Sequence, residues 1–252
     1  MKTINWLFLS FILYITACTT PQMLLQEPLA SEAAPMPVKG RQGWLINQKL
    51  SFGNYQTDKV QRGWTFSYGI DLFLTELQGA QQKFSFTLED EKGQRYTVMS
   101  AHQLSGVVIP VDRFTPKAKP AVHELLSFTV QTKDMMAATL YDHQQQEHWH
   151  MLMMHTDDFR KDGKYVGLLS SEATTPIQIV PVRKLAEQKS WGGDIVGFDF
   201  QQDGHSLAAV ELLNQGRVWI NSALPDDMQS LLAAACATLL LQQEIELPSE
   251  QI

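Results

Sequence analysis

From Trp44 onward the chain alternates apolar and polar residues with a period of two over many short stretches. Residues 64–70, 83–88 and 127–130 each put their apolar side chains on one face, the pattern of a half-buried strand. The same reading assigns strands to 45–52, 95–99, 107–111, 139–141, 148–154, 165–169, 177–182, 195–200, 207–212 and 218–220. Turn chemistry separates many of them: Glu91-Lys92-Gly93, Lys161-Asp162-Gly163, Gln202-Asp203-Gly204 and Asn214-Gln215-Gly216. About a dozen short strands at this spacing predict a mainly β fold, an antiparallel barrel or sandwich. The sequence shows no long βαβ alternation and no glycine-rich phosphate loop.

The pattern changes at the C-terminal end. Pro225 suits a first helical turn, and Asp226 and Asp227 favour the positive end of a helix dipole. Residues 228–245 follow with good helix formers and no Gly or Pro. Residues 231–241 are apolar nearly all round, so the helix is expected to be buried on most faces or paired with another chain. Eleven residues at about 1.5 Å each reach about 16 Å, too short to cross a bilayer. Many antiparallel strands followed by a terminal apolar helix is similar to the tubby and scramblase-like architecture, in which a barrel of about a dozen strands wraps a hydrophobic C-terminal helix. That resemblance implies a fold and no function.

The first residues read as a targeting segment. Lys2 is followed by an apolar run over 6–15, broken only by Ser10, which is shorter than the roughly 20 residues a spanning helix needs. The run ends in Ile15-Thr16-Ala17-Cys18, which resembles the lipobox of bacterial lipoproteins. The resemblance implies a signal peptide over 1–17, lipidation of Cys18 and a membrane as partner through the N-terminal lipid, with three acyl chains anchoring far more firmly than one. It places the chain in the cell envelope, facing the periplasm or the cell surface. Thr19, in place of the aspartate of the inner-membrane retention pattern, favours the outer membrane of a Gram-negative host. Pro21, Pro28, Pro35 and Pro37 lie among Gln, Glu, Ser and Ala, so 18–40 is expected to be a lipidated flexible tether. About 20 such residues span roughly 25 Å as coil and about 70 Å at full stretch, leaving the domain free to turn. The β-rich domain is then 41–252, with a candidate division into two halves near 117–122.

Composition narrows the partners. The formal charge is -7, and loss of 1–17 removes Lys2 to leave 19 basic against 27 acidic residues. Without a basic block, a nucleic-acid partner is excluded, and the dispersed acidity reads as a solubility feature. Hydrophobic residues make up 44%, enough for a globular core. With Cys18 lipidated, Cys236 has no intrachain partner, and among Leu and Ala it reads as a small buried apolar residue.

Candidate chemistry is densest in Asp142-His143…Glu147-His148-Trp149-His150-Met151-Leu152-Met153-Met154-His155. On a strand, His148, His150 and Met154 share one face, and Trp149, Met151 and Met153 the other. Imidazoles at i and i+2 with a thioether suit Zn(II) or cuprous copper, while Trp and Met equally serve as core filler with the histidines in solvent. No nucleophile elbow occurs, and Cys236 lies in the wrong surroundings for a reactive thiolate. His205, beside an Asp-Gly turn, reads as a solvated loop residue, and Glu89, Asp90 and Glu91 as a turn cluster. The stretch 158–163 lacks the ligands of a calcium loop, with Arg160 in a ligand position. Trp44, Trp64, Tyr68, Trp191 and Trp219 are core residues or a stacking face for ligand. No motif implies a cofactor and none fixes a catalytic residue. The leading expectation is a non-catalytic binding or structural module that meets an envelope protein or apolar ligand. Metal handling and a cell-envelope hydrolase stand as alternatives.

Overall fold

A computed structural model describes residues 21–41, 47–63, 82–103, 134–155, 165–171, 174–187 and 194–242. The signal and Cys18, the strand expectations at 64–70, 107–111 and 127–130, the division near 117–122 and the loop at 158–163 lie outside these residues, as do Trp44, Trp64, Tyr68 and Trp191.

The fold is mainly β, as the alternation predicts: an antiparallel, nearly closed barrel with a buried C-terminal helix. Its strands are β1 (Met36–Pro37), β2 (Ser51–Phe52), β3 (Tyr55–Thr57), β4 (Gln61–Arg62), β5 (Gln82–Asp90), β6 (Arg95–Gln103), β7 (Asp134–Asp142), β8 (His148–His155), β9 (Tyr165–Ser170), β10 (Ile177–Val182), β11 (Gly197–Gln202), β12 (His205–Glu211) and β13 (Arg217–Ile220). Among the described residues a short helix, α1 (Leu29–Glu32), precedes β1, and a long one, α2 (Asp226–Leu241), follows β13. From β5 to β13 the sheet is an up-and-down meander in sequence order. β6 and β7, which flank 117–122 in the chain, pair over eight residues, from Tyr96↔Asp142 to Gln103↔Met135. β1 joins β13 through Met36↔Val218. The far edge returns to the start where Lys39 bridges Ser51, with N···O distances of 2.9 and 3.1 Å.

The register decides which residues face the helix. Phe86 opposes Val98, Val98 opposes Leu140, and Leu140 opposes Trp149, all in the main core. Ile179, Phe200, Ala208 and Ile220 continue that inner surface on the other side. α2 fills the space they enclose, and every residue from Ser230 to Leu241 is buried. An all-round apolar helix is stable here because the barrel supplies apolar partners on every side. The helix starts where Pro225 suggested, with Pro225 as N-cap and both aspartates in the first turn, but it ends at Leu241, short of the expected run to 245.

The largest correction concerns the N-terminal segment. Residues 21–40, the described part of the expected 18–40 flexible tether, form a strap packed down the outer wall of β11–β13 and back. Met23, Leu29 and Ala33 make a second core with Val196, Ala209, Trp219 and Leu185. Leu24 N–H donates to the Lys184 carbonyl at 2.9 Å, and Ala186 N–H to the Gln22 carbonyl at 2.8 Å. Prolines and polar residues resemble a linker because they cannot form a long regular element. They do not prevent docking when the sheet supplies the partners.

Candidate functional site

The polar side chains that an interior site would use are spent on the ends of α2. At its N-terminal end Asp90 accepts a hydrogen bond from Ser230 Oγ at 2.9 Å, and its other oxygen accepts the amides of Lys92 (2.8 Å) and Gln94 (2.9 Å). Asp142, 1% exposed, accepts the Tyr96 hydroxyl at 2.9 Å and the amides of Gln144 (2.7 Å) and Gln145 (3.1 Å). The Asp227 carbonyl oxygen lies 3.2 Å from the same hydroxyl. Burial first, then Asp142, raises Tyr96 well above the ordinary phenol range. Burial, followed by the charge of Asp90, pushes Tyr55 up to about 12. Both phenols therefore stay protonated, and that of Tyr96 acts as a hydrogen-bond donor, not a base.

At the opposite end two arginines meet the carbonyls that a helix leaves unpaired. Arg41 donates to Leu240 O at 3.2 Å, to Asn214 O at 3.1 Å and to Leu212 O. Arg62 donates to Leu241 O at 3.1 Å and to Gln48 Oε1 at 3.0 Å, with its guanidinium 5.4 Å from the Phe84 ring centre. Burial lowers the Arg62 pKa from its ordinary value. Acids at the start of the helix and cations at its end both match its macrodipole.

The strap is fastened by Glu211, 1% exposed at the end of β12. One carboxylate oxygen accepts Met23 N–H at 2.6 Å, and the other lies 3.1 Å from Arg217 Nε. Arg217 in turn donates to the Pro21 carbonyl at 3.3 Å. Burial raises the Glu211 pKa, opposed by the Met23 amide and by Arg217. A second buried acid, Asp199 in β11, accepts Ser206 Oγ and, at 2.6 Å, Gln201 Nε2. Burial raises its pKa against those two donors.

The histidines divide as the strand pattern predicts. Trp149, Met151 and Met153 point into the barrel and belong to the main core. His148 and His150 stand half-buried on the outer face. His150 Nδ1 is 3.5 Å from Thr139 Oγ1, and His148 packs its ring against Tyr141 with centres 4.9 Å apart. Met154 follows them in β8, and its side chain lies outside the described ones. His143 reaches Thr97 Oγ1 with Nε2 at 2.8 Å and meets Tyr141 edge-on from the other side. Among the described residues no three His, Cys, Asp or Glu side chains gather as a metal-binding group. His205 is exposed at the start of β12, as expected. Trp219 lies beneath the strap in the second core. Cys236 is fully buried on α2, and burial drives its thiol far above the range of a reactive thiolate. Glu211 and Asp199 escaped the sequence reading, although an acid ending one apolar strand and another set between two phenylalanines were the available signal.

No protein family, curated protein or solved structure matches the chain.

Proposed function

We propose that the chain is a cell-envelope lipoprotein, lipidated at Cys18, whose barrel is a non-catalytic binding or structural module beside the membrane, the outer membrane in a Gram-negative host. One observation carries the non-catalytic part. α2 occupies the barrel interior, and Asp90, the Tyr96 phenol and the guanidinium groups of Arg41 and Arg62 are hydrogen-bonded to its two ends. Groups held in this way position a helix and are not turned toward a substrate. A partner, on this reading an envelope protein or an apolar ligand, meets the outside of the barrel.

The test is mass spectrometry of the N-terminal peptide from the membrane fraction. The expected mature chain begins at Cys18 and carries the mass of its acyl chains, and Cys18→Ser releases a folded domain. A wild-type chain retaining residues 1–17, or a Cys18→Ser protein that stays in the membrane fraction, refutes the reading.

A second reading, Zn(II) or Cu(I) binding through His148, His150 and Met154, is favoured by one observation: the two imidazoles share the outer face and are partly accessible. Titration of the metal-free protein checks it. Wild type must bind more tightly than a His148→Ala/His150→Ala variant, and equal affinities dismiss the site.

A further inference from the structure

We propose that the strap makes the lipid anchor directional: the barrel stands with the end that holds the C-terminus of α2 against the phospholipid headgroups and its other end away from them. The inference rests on the reading that Cys18 is lipidated, and adds an orientation and a membrane-facing surface to it.

The first argument is chain length. Pro21 is already fixed to the barrel, through Arg217 to its carbonyl and through the neighbouring Gln22 and Met23 to Ala186 and Glu211. Only three Cα–Cα steps separate Cys18 from Pro21, at most about 11 Å. A free tether from Cys18 to residue 40 would have allowed several times that reach. The lipid must therefore lie close to the rim that carries Pro21.

The meander identifies that rim. β13 starts at Arg217 and β12 ends at Glu211, so Pro21 and Met23 lie where the β12–β13 turn lies. Arg41 ties this turn to Leu240, so it is also the end of the C-terminus of α2. The β5–β6, β7–β8 and β11–β12 turns lie at the opposite end, where Asp90 meets Ser230 and Gln145 meets Asp227. β5 has nine residues. At about 3.3 Å each and a typical barrel tilt, the two ends are about 20–25 Å apart along the axis.

The second argument is charge, and it is independent of the first. Among the described residues the anchored end carries exposed Lys39, Lys49 and Lys184 and partly buried Arg41, Arg183 and Arg217. Against them stand Glu187, Asp194, the buried Glu211 and Asp134, the first residue of β7. The far end carries Glu89, Asp90, Glu91, Asp203, Asp226 and Asp227, against Lys92 and Arg95. Lys92 is itself paired with Asp226 at 2.6 Å. The dispersed acidity expected from the sequence is therefore segregated by end in the described residues. The short anchor brings the basic end to the lipid phosphates, where Lys and Arg side chains are attracted to the anionic surface. It turns the acidic end away, so a protein partner approaching along the membrane normal meets the acidic turns.

The experiment uses the full lipidated protein in phosphatidylethanolamine/phosphatidylglycerol vesicles that carry a headgroup nitroxide. A fluorophore is attached at Gln215→Cys in the β12–β13 turn or at Glu91→Cys in the β5–β6 turn, both exposed sites. Cys236 is fully buried and stays unlabelled. With the ends some 20–25 Å apart, quenching at 215 is expected to exceed that at 91 by about threefold or more. Glu211→Ala, which unfastens the strap, is expected to bring the two values together. Equal quenching at 215 and 91 in a vesicle-bound, acylated protein overturns the orientation and leaves the lipoprotein reading standing. A protein without lipid at Cys18 that stays off the vesicles overturns both.

Discussion

Gly40 sits at the seam that closes the barrel, and its replacement by alanine isolates what the seam contributes. Its φ is +82°, and a Cβ built there falls 1.9 Å from the Lys49 carbonyl oxygen and 3.1 Å from its carbon. The obstacle is backbone, so no rotamer change relieves it. Gly93, in the β5–β6 turn, has nearly the same φ of +83° and nothing within 4 Å of its Cβ position. Gly93→Ala therefore bears only the left-handed penalty, about 1–2 kcal/mol. Gly40→Ala bears that penalty and must also move residues 39–41 away from 49–51. This breaks the two Lys39–Ser51 backbone hydrogen bonds, at about 0.5–1.5 kcal/mol each. It also disturbs Arg41, which joins this segment to Leu240 and Asn214. The expected excess of Gly40→Ala over Gly93→Ala is about 2–4 kcal/mol, or roughly 4–16 °C in Tm for a domain of this size. Urea unfolding of both variants measures it, and amide exchange at Lys39 and Ser51 locates it. Equal midpoints with those two amides still protected would refute the idea that the bridge closes and stabilises the barrel.

Other outcomes follow from buried polar groups. Because burial raises the Asp199 pKa, the folded state holds this proton more tightly than the unfolded chain. Its contribution to stability is full below the unfolded value near pH 4 and drains as pH rises through the folded pKa. Asp199→Asn should thus gain on wild type in urea unfolding as pH rises from about 4 to 7, and a constant difference would contradict the assignment. Arg41→Met should cost about 2–4 kcal/mol in thermal melts by leaving helix and turn carbonyls without their charged donor; a change under about 0.5 kcal/mol would show that water replaces it without loss. Ala235→Asp, at a position with no exposure, should leave the protein insoluble or unfolded by light scattering and circular dichroism, and a soluble variant that melts cooperatively would show this helix face to be accessible.

What the sequence disclosed follows from how each element is buried. β5, β6 and β8 turn one face to the helix and carry polar or partly exposed residues on the other, so their period of two was visible. β7 was recognised only at 139–141, because Met135 through Leu140 are buried on both faces and the alternation disappears. β1, β3 and β4 are two or three residues long, too short for any period, and their pairing is set by the sheet beside them. The strap left no local trace because its fastening residue, Glu211, lies 188 positions from Met23. The inward Trp149, Met151 and Met153 and the outward His148 and His150 were legible, since strand alternation alone separates them. The helix was legible as a buried object, and its partner was not. Only the closed barrel decides between burial within the chain and pairing with another.

The segregation of charge was recoverable from the sequence, once the strand order was known to be a meander. In such a sheet every second connection reaches the same end, so the turns at 91–94, 143–147, 203–204 and 221–225 share one rim. The helix macrodipole explains part of the arrangement, because Asp226 and Asp227 lie at its positive end and Arg41 and Arg62 at its negative one. It does not explain Lys39, Lys49 and Lys184, which stand exposed to solvent. The two causes separate in a Lys39→Gln/Lys49→Gln/Lys184→Gln variant. If these lysines serve the helix, the variant loses stability in proportion to the charge removed. If they serve the membrane, its melting stays within about 0.5 kcal/mol of wild type, as for surface substitutions generally. The difference in headgroup quenching between positions 215 and 91 should then narrow in anionic vesicles and change little in neutral ones. Loss of stability with quenching unchanged would assign the lysines to the fold and leave the three-residue anchor as the sole cause of orientation.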